Sequence, residues 1–573
     1  MIKMAKTISV GTASFRKIIL RDYYYVDKTR FIRQIYNAGE VVLITRPRRF
    51  GKTLTMSMLQ SFFEMNYEDV GDKSLHRRLF SALDIGGDRK FCDDFMGQFP
   101  VVSISLRSVE GDSFEEALYR LKMLILTEVE RFEFLLDSTK FSRSQTAKLQ
   151  ELWNLGVLTG EKLLYVLGKS LQTLTELLYA HFGRGPILLI DEYDVPLQKA
   201  RKNGYYSAML KIIRVMFGSA LKDSVVLEKA FLTGCMRLSK ESIFTGANNF
   251  VSLGISDQSL SGAIGFTEEE SHRVLEDMGM LEYADDVRQH YDGYRFGNMD
   301  IYCPWDLLNF CSRYQNTGEV NFGNYWMNSS QNDIIREFID FADASHAAML
   351  QKLVRGGIAV ARIDPNLSFL ELDSDHSPAK LLSLLFSTGY VTEVGKTEDG
   401  RSMLKIPNEE IRSCFRDQIL AWFTSDSPAY VSEAKEIWDA LNKGFAPTVE
   451  QKLEHLLLLF MSVRDGASEA FYHGFLLSLL GIAGEKGNAR TVRSNREVGH
   501  GYADIIIDDW EQKKRIVIEL KKAESDALLD QACRDAIAQI DERRYGDGGL
   551  DAPQDFKRCG IAFHGKKCRV KMA

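Results

Sequence analysis

The chain has 573 residues, 45% of them hydrophobic and 26% charged, with 72 Lys and Arg against 79 Asp and Glu. At roughly 150 residues per domain this length predicts three or four globular domains, and the composition excludes a disordered or fibrous chain. A net charge of −7 excludes a nucleic-acid binder that is basic throughout. Charge is unevenly spread: residues 1–60 hold 12 Lys and Arg against 3 Asp and Glu, the balance expected of a phosphate-binding segment.

No two of the eight cysteines lie closer than eight positions. That removes CxxC zinc sites and gives no disulfide framework, and it suits a reducing, cytoplasmic setting. Met1-Ile-Lys-Met-Ala-Lys6 lacks the apolar core of a secretory signal. The longest charge-free apolar run, Ala470 to Gly484, has 15 residues, short of the roughly 18–20 that cross a bilayer. No membrane is expected as a partner.

From the start to about residue 265, short apolar runs alternate with helical patterns. Val41–Thr45, Val101–Leu106, Ile187–Ile190 and Ala230–Thr233 read as strands of a parallel α/β sheet, buried on both faces. The first run opens into Arg46-Pro-Arg-Arg-Phe-Gly51-Lys52-Thr53 and then the helical pattern Leu54–Phe63. Strand, loop, Gly-Lys-Thr and helix form the context of a P-loop. In such a loop the N–H groups and the helix N-terminus face phosphate, Lys52 adds a mobile charge, and Thr53 supplies a hydroxyl for Mg²⁺. Arg46 departs from the generic GxxxxGK[ST] pattern, which wants glycine there. The plain alternative is a basic strand-to-helix turn without a ligand.

The third strand ends in Asp191-Glu192. Two carboxylates at the end of an apolar strand suit Mg²⁺ binding by Asp191 and polarisation of an attacking water by Glu192. Thr233 ends the next strand, where a γ-phosphate sensor would sit, and Arg237 follows within reach of the same phosphate.

Residues 266–465 are mostly amphipathic helix with two strand-like pieces, Tyr390–Val394 and Met403–Ile406, which predicts a helical or winged-helix connector. From 466 the pattern changes to helix, strand hairpin, long helix and a short strand at Cys559–Phe563. In the hairpin, Gly501–Ile507 and Arg515–Lys521 are the strands. Glu519 and Lys521 stand at i and i+2 and so share one face. Pairing 504 with 519 and 502 with 521 centres the turn between 511 and 512 and brings Asp504 to that face.

Such a trio suits metal-dependent phosphodiester cleavage: Asp504 and Glu519 hold Mg²⁺ or Mn²⁺, and Lys521 stabilises developing charge. A solvated salt bridge at a hairpin edge is the plain alternative. Glu469, on the preceding helix, is a candidate further metal ligand. The following helix, Ser525–Tyr545, presents Leu528, Ala532, Ala536 and Ile540 as its apolar stripe. His473, His500 and His564 are isolated and form no zinc pattern.

Taken together, Tyr25-Val-Asp-Lys-Thr29, Arg46 to Thr53, Leu189-Ile-Asp-Glu-Tyr-Asp194, Leu232-Thr-Gly234, Tyr291-Asp-Gly-Tyr-Arg-Phe296 and Pro304-Trp305 carry a resemblance that covers nearly the whole chain. It resembles the bacterial predicted AAA-ATPase-like family with a C-terminal PD-(D/E)XK nuclease-like domain, in which Arg46 is the family's own form of the loop. The resemblance implies an α/β fold in three parts: a P-loop NTPase domain at 1–265, a mostly helical or winged-helix connector at 266–465, and a restriction-endonuclease-like α/β domain at 466–573.

ATP with Mg²⁺ is the implied ligand. The expected nucleotide-binding residues are Arg46, Arg49, Gly51, Lys52, Thr53, Asp191, Thr233 and Arg237, with Thr53 and Asp191 on the metal and Glu192 catalytic. In the C-terminal domain Asp504, Glu519 and Lys521 are expected to be catalytic and Asp504, Glu519 and Glu469 to bind metal, with Gln539 and Tyr545 lining the groove. Asp27 reads as the N-cap of a helix Lys28–Ala38, and Tyr294 and Arg295 as part of a lid or of an aromatic turn packing a core. The function implied is an ATPase coupled to a nuclease acting on nucleic acid, DNA in preference to RNA, with a homo-oligomer allowed. The competing reading is a nucleotide-gated switch whose C-terminal domain binds nucleic acid or protein without cutting. The near-neutral balance of residues 471–573, 18 Lys and Arg against 16 Asp and Glu, speaks for it.

Overall fold

The computed structural model describes residues 6–222, 224–237, 250–326, 349–350, 352–354, 356–367, 371–372, 377–415, 428–460, 469–484, 490–498, 501–510, 513–545 and 555–573. His500 and the expected boundary near 465 lie outside them. The chain divides into two compact units, residues 1–332 with 351–413 and residues 333–350 with 414–573.

In the first unit β1 (Val41–Thr45), β2 (Val101–Ser105), β3 (Ile187–Asp191), β4 (Lys229–Gly234) and β5 (Phe250–Leu253) form one parallel sheet in the order β2-β3-β4-β1-β5. Every residue of β1 and β3 is buried, as continuous apolar runs in a parallel sheet require. Covering helices are α1 (Lys52–Phe63), α2 (Phe114–Glu130), α3 (Gly160–Phe182), α4 (Val195–Lys202) and α5 (Tyr206–Leu221). This order sets the P-loop strand β1 beside β4, and β4 beside the carboxylate strand β3. The C-terminal ends of all three therefore share one edge of the sheet.

Residues 266–332 and 351–413 add two small antiparallel sheets to this unit. β6 (Phe266–Thr267), β7 (Tyr294–Phe296) and β8 (Met299–Tyr302) form one, in the order β6-β8-β7. Strands β9 (Ala359–Ala361), β10 (Thr392–Lys396) and β11 (Ser402–Lys405) form the other, in the order β10-β11-β9. Helices α6 (Glu268–Asp277), α7 (Pro304–Thr317) and α8 (Pro378–Thr388) accompany them; β10 and β11 fall on the two strand-like pieces read from the sequence, and the other four strands lie outside that reading. Tyr294 of β7 meets the P-loop directly: Phe50, 1% exposed, packs edge-on against its ring at 4.9 Å and against Phe296 at 5.1 Å. Burying such a side chain stabilises by about 1.5–3 kcal/mol, so Tyr294 buttresses the loop from within the core. Arg295 between them is exposed.

Asp27 is a correction. The helix begins only at Phe31, with Arg30 as its N-cap. The Asp27 carboxylate instead accepts from the Thr29 amide (2.8 Å), the Thr29 hydroxyl (2.7 Å) and the Asp84 amide (2.7 Å). It is an Asx-type turn that pins a distant loop.

The second unit is built on a five-stranded sheet, β12 (Arg490–Val498), β13 (Gly501–Asp509), β14 (Lys514–Lys522), β15 (Asp555–His564) and β16 (Lys567–Met572), in that order. β14 and β15 run parallel and the other pairs antiparallel. Helices α9 (Pro428–Lys443), α10 (Ala446–Phe460) and α11 (Glu469–Gly484) cover one face, where Trp438, Leu453, Leu476 and Leu480 pack against Ile505, Ile507, Ile516 and Ile518. The crossover helix α12 (Leu529–Glu542) covers the other: Ile540 lies in one cluster with Ile506 and Val517, and Leu529 and Cys533 with Ala562. Its buried stripe is Leu529, Cys533, Ala536 and Ile540. The expected Leu528 is 45% exposed, because it ends the 3₁₀ turn Asp526–Leu528 ahead of the helix.

Candidate functional site

Gly51 opens α1 at φ 100° in the left-handed region, and a Cβ there would meet nothing within 4 Å. Its glycine is required by the backbone angle, not by space. Behind it Lys52 is buried, its Nζ donating to the carbonyls of Arg46 and Pro47 at 3.0 Å each and lying 3.5 Å from Cys235 Sγ. Burial works against its charge, but Cys235, Glu192, Asp194 and Asp191 more than offset that and hold its pKa above the ordinary lysine value.

Thr53, one residue on, donates its hydroxyl to Asp191 at 2.7 Å. The other Asp191 oxygen accepts from the Thr233 hydroxyl, because β4 lies between β1 and β3 in register. Burial raises the Asp191 carboxyl pKa and these two hydroxyls work against the rise. Thr233 thus orients Asp191.

Glu192 stands beside them with φ 52°, a left-handed angle that costs a non-glycine residue free energy. The following residues lock to the loop after β4. Asp194 accepts from the amides of Cys235 and Met236 at 2.9 Å each, and Tyr193 donates to the Met236 carbonyl at 2.6 Å. A Cβ on Gly234 would come within 2.6 Å of the Tyr193 ring and 2.7 Å of Asp194. The Asp-Glu-Tyr-Asp and Thr-Gly strings are therefore two halves of one packed joint.

Gly51, Lys52, Thr53 and Glu192 line a cavity of about 470 Å³, within the roughly 300–1,000 Å³ range of small-molecule sites. Its remaining walls come from residues 8–13, Tyr24–Val26, Ile264–Phe266 and Trp305, with Arg48, Arg49 and Arg107 at the charged end. Arg49 stacks 4.2 Å over the Trp305 ring. Sequence reasoning missed residues 8–13 and Arg107, and it noted Tyr25 and Trp305 only as recurring strings without a role.

Two expected nucleotide contacts are corrected. Arg46 is fully buried, and its guanidinium donates to the carbonyls of Thr45 (2.8 Å), Leu253 (3.1 Å), Gly254 (2.8 Å) and Leu260 (3.2 Å). Burial lowers its pKa to about 10. It ties the P-loop strand to the segment after β5 and does not line the cavity. Arg237 donates from Nε to the Ser252 hydroxyl (2.5 Å) and from an amino group to the Ser252 carbonyl (2.8 Å), so it is engaged on β5 and does not line the cavity.

In the second unit the hairpin pairs Ile505 with Ile518 and Asp509 with Lys514, the register that sets 504 opposite 519. At its open end the Asp504 carboxylate takes the Leu520 amide (2.8 Å), and the Asp504 amide lies 3.5 Å from a Glu519 oxygen. Lys521 Nζ is 3.9 Å from Glu519. Gln539 of α12 donates to the same carboxylate, and Tyr545 donates to the Tyr502 carbonyl at 2.9 Å. Burial first, then the Asp504 charge, raises the Glu519 carboxyl pKa to about 7. Burial likewise raises that of Asp504.

Glu469 caps the end of β14 through the Lys522 amide (3.1 Å), near enough that its charge adds to both rises. His473 Nε2 donates to the Asp504 carbonyl at 2.9 Å. The structure thus gathers the residues read as Asp504, Glu519, Lys521, Glu469 and Gln539, and it adds His473. Among the described residues no three His, Cys, Asp or Glu side chains converge closely enough to hold a metal by themselves. Two carboxylates short of charge compensation fit a hard cation whose other ligands are water and substrate oxygens.

Residues 9–244 match the protein family described as predicted AAA-ATPase, and residues 467–573 match the PD-(D/E)XK nuclease superfamily. A curated relative, an uncharacterized protein from the 5′ region of vnfD of Azotobacter chroococcum mcd 1, is 26% identical over 444 residues, 76% of this chain and 74% of that protein. Among solved structures, a signal transduction ATPase with numerous domains and a tetratricopeptide repeat sensor, from Pyrococcus horikoshii, matches at 14% identity with a TM-score of 0.24. That match covers 77% of this chain and 48% of the other, so the chain spans about half the length of that protein. Among the described residues no helix is long and apolar enough to cross a membrane.

Proposed function

We propose, for an AAA-ATPase-like chain with a C-terminal PD-(D/E)XK nuclease-superfamily domain, that the first unit binds and hydrolyses ATP and the second cuts nucleic-acid phosphodiesters, DNA in preference to RNA. The observation that carries the reading is the 2.7 Å bond between Thr53 and Asp191, 138 positions apart. It joins the P-loop hydroxyl to the strand carboxylate beside Glu192. Magnesium bound there would neutralise charge on the β- and γ-phosphates.

The amides at the start of α1 and the Lys52 ammonium hold the phosphates, Lys52 leaving the carbonyls of Arg46 and Pro47 to do so. The apolar walls of the cavity take the base. Glu192 accepts a proton from water as that water's oxygen bonds to the γ-phosphorus. The bond from that phosphorus to the β,γ-bridging oxygen breaks, and ADP and inorganic phosphate leave.

In the second unit Asp504 and Glu519 hold the divalent cation, Mg²⁺ or Mn²⁺, which would polarise the phosphodiester and its attacking water. Lys521 stabilises charge on the scissile phosphate, and Gln539 fixes the Glu519 rotamer. A specific observation favours the alternative of binding without cutting: the described residues supply two close carboxylates and no third ligand.

Calorimetry of the full chain with ATP and Mg²⁺ tests the first half, and a wild type without nucleotide affinity overturns it. Incubation with plasmid and single-stranded DNA, with each metal and with or without ATP, tests the second. Retention of either DNA without products selects the non-cutting reading.

A further inference from the structure

We propose that Arg107 is the γ-phosphate arginine of this chain, gripping together with Arg49 the phosphoryl group that hydrolysis removes. The inference deepens the ATPase reading and rests on it. β2 pairs with β3 so that Ser105 lies beside Asp191, and the short turn Leu106–Ser108 follows at once. Arg107 therefore leaves the same sheet edge as Glu192, from the strand on the far side of β3 from the P-loop. Phosphates seated in the loop extend toward Glu192, so a side chain arriving from β2 meets the terminal phosphate and neither of the inner two.

Arg107 is exposed and lines the same cavity as Lys52, Thr53 and Glu192. Among the described residues it has no carboxylate and no hydrogen-bond partner. What it approaches is another arginine: burial and then the Arg107 charge hold the Arg49 pKa below the ordinary arginine value. Two guanidinium groups drawn toward one polar cavity repel each other, and an anion between them removes that repulsion.

The other candidate cations are engaged. Lys199 pairs with Glu110 at 3.1 Å, and Arg237 is held on Ser252. Arg49 is fixed from behind by its stacking on Trp305, so the terminal phosphate closes a clamp with one anchored jaw and one mobile jaw. ADP lacks the group that closes it. Arginine suits this position because its planar fork can take two phosphate oxygens at once.

Calorimetry of wild type, R107A and R107K with Mg²⁺ and either ADP or a non-hydrolysable ATP analogue tests the assignment, alongside phosphate release from ATP. Wild type should prefer the triphosphate, and R107A should bring the two affinities together while ADP affinity moves by less than about threefold. Turnover should fall by roughly 1,000-fold, the lower end of what an arginine on the transferred phosphoryl supplies. R107K should recover triphosphate affinity more than turnover. An R107A protein that keeps both its triphosphate preference and its turnover overturns the role of Arg107 and leaves the ATPase reading standing. Equal loss of ADP and triphosphate affinity at an unchanged melting temperature also overturns it, since Arg107 would then serve the whole nucleotide. If wild type binds neither nucleotide, the ATPase reading fails and takes this inference with it.

Discussion

Replacing Glu192 by glycine separates two reasons for its backbone. At φ 52° an L-residue sits in the left-handed region at a cost of about 1–2 kcal/mol. Glycine carries no such cost but loses about 0.5–1 kcal/mol more in backbone entropy on folding. The Glu192 carboxylate makes no hydrogen bond or ion pair among the described residues, so its removal forfeits only its longer-range attraction for Lys52, Arg48 and Arg49. With the charge removed in both, the backbone difference predicts that E192G is more stable than E192Q by up to about 1.5 kcal/mol, although most substitutions destabilise. E192Q keeps the backbone angle and loses only the charge, so its difference from wild type measures the electrostatic part alone.

Both variants should bind ATP, and both should lose turnover by roughly 100–10,000-fold, the span of a missing general base. Urea unfolding followed by circular dichroism, with and without Mg²⁺ and ATP, provides the stability measurement. A chain of two units need not unfold in one step, and the transition that nucleotide shifts is the one belonging to the first unit. An E192G protein less stable than E192Q by more than about 1 kcal/mol, on the scale of an ordinary damaging substitution, would refute the claim that the angle is held against its own preference. Undiminished phosphate release in E192Q would refute the role of the carboxylate.

Asp504→Ala should abolish metal-dependent cutting of plasmid while ATP turnover stays at the wild-type rate; cutting that persists undiminished would belong to another site. Asp306, buried in the first unit near Cys303 and Glu410, supplies a pH prediction. Burial holds its pKa above the usual carboxyl range, so between the ordinary value and the raised one the folded protein keeps a proton that the unfolded chain releases. Stability should fall as pH rises through that window, and D306N should flatten the slope of melting temperature against pH. Coupling between the two activities is measured in E192Q held with ATP, compared with the same protein holding ADP. A difference in nucleic-acid affinity or cleavage of roughly 5–150-fold, or about 1–3 kcal/mol, is expected, and equal values in both states would leave two independent modules.

Local patterns told most where the chemistry is local. Strand, Gly-Lys-Thr and helix lie within one stretch of chain, and the hairpin register followed from alternation about a polar turn, as the pairing of Ile505 with Ile518 shows. Arg46 was misread for the opposite reason. Three of its four partners are carbonyls of residues 253, 254 and 260, and nothing in the loop says where a guanidinium will find acceptors two hundred positions away. Arg237 followed the same course toward Ser252.

Arg107 carried no signal beyond standing two residues after a strand, and its meaning depends on β2 lying next to β3. β12, Arg-Thr-Val-Arg-Ser-Asn-Arg-Glu-Val, escaped notice because it lacks apolar alternation; it is an edge strand of the sheet. The domain reading assigned residues 428–460 to a connector on helical character alone. Their buried residues share one core with the C-terminal sheet.

Two aspartates on β13, four positions apart, show how the fold distinguishes a structural carboxylate from a reactive one. Asp508 is fully buried and answered by two arginines: Arg515 holds both its oxygens, at 2.6 and 3.1 Å, and Arg493 joins them. Asp504 is half-buried and is given a Leu520 amide at 2.8 Å, while the adjoining Glu519 has Gln539 and a lysine no closer than 3.9 Å. An arginine in contact would satisfy that pair permanently; without one, the charge deficit can be met by a divalent cation. Removing the charge should therefore have opposite effects at the two places. D508N leaves the buried Arg515 without its carboxylate, with the partly exposed Arg493 beside it, and should destabilise by about 3–5 kcal/mol, the cost of breaking a buried ion pair from one side. D504N relieves the repulsion of Glu519 and should raise the melting temperature of the metal-free protein while removing the stabilisation that added Mg²⁺ or Mn²⁺ gives wild type. Melting curves of both variants with and without chelator decide the matter: a D504N protein as unstable as D508N would mean that Asp504 holds the fold together and that no place is kept for a metal.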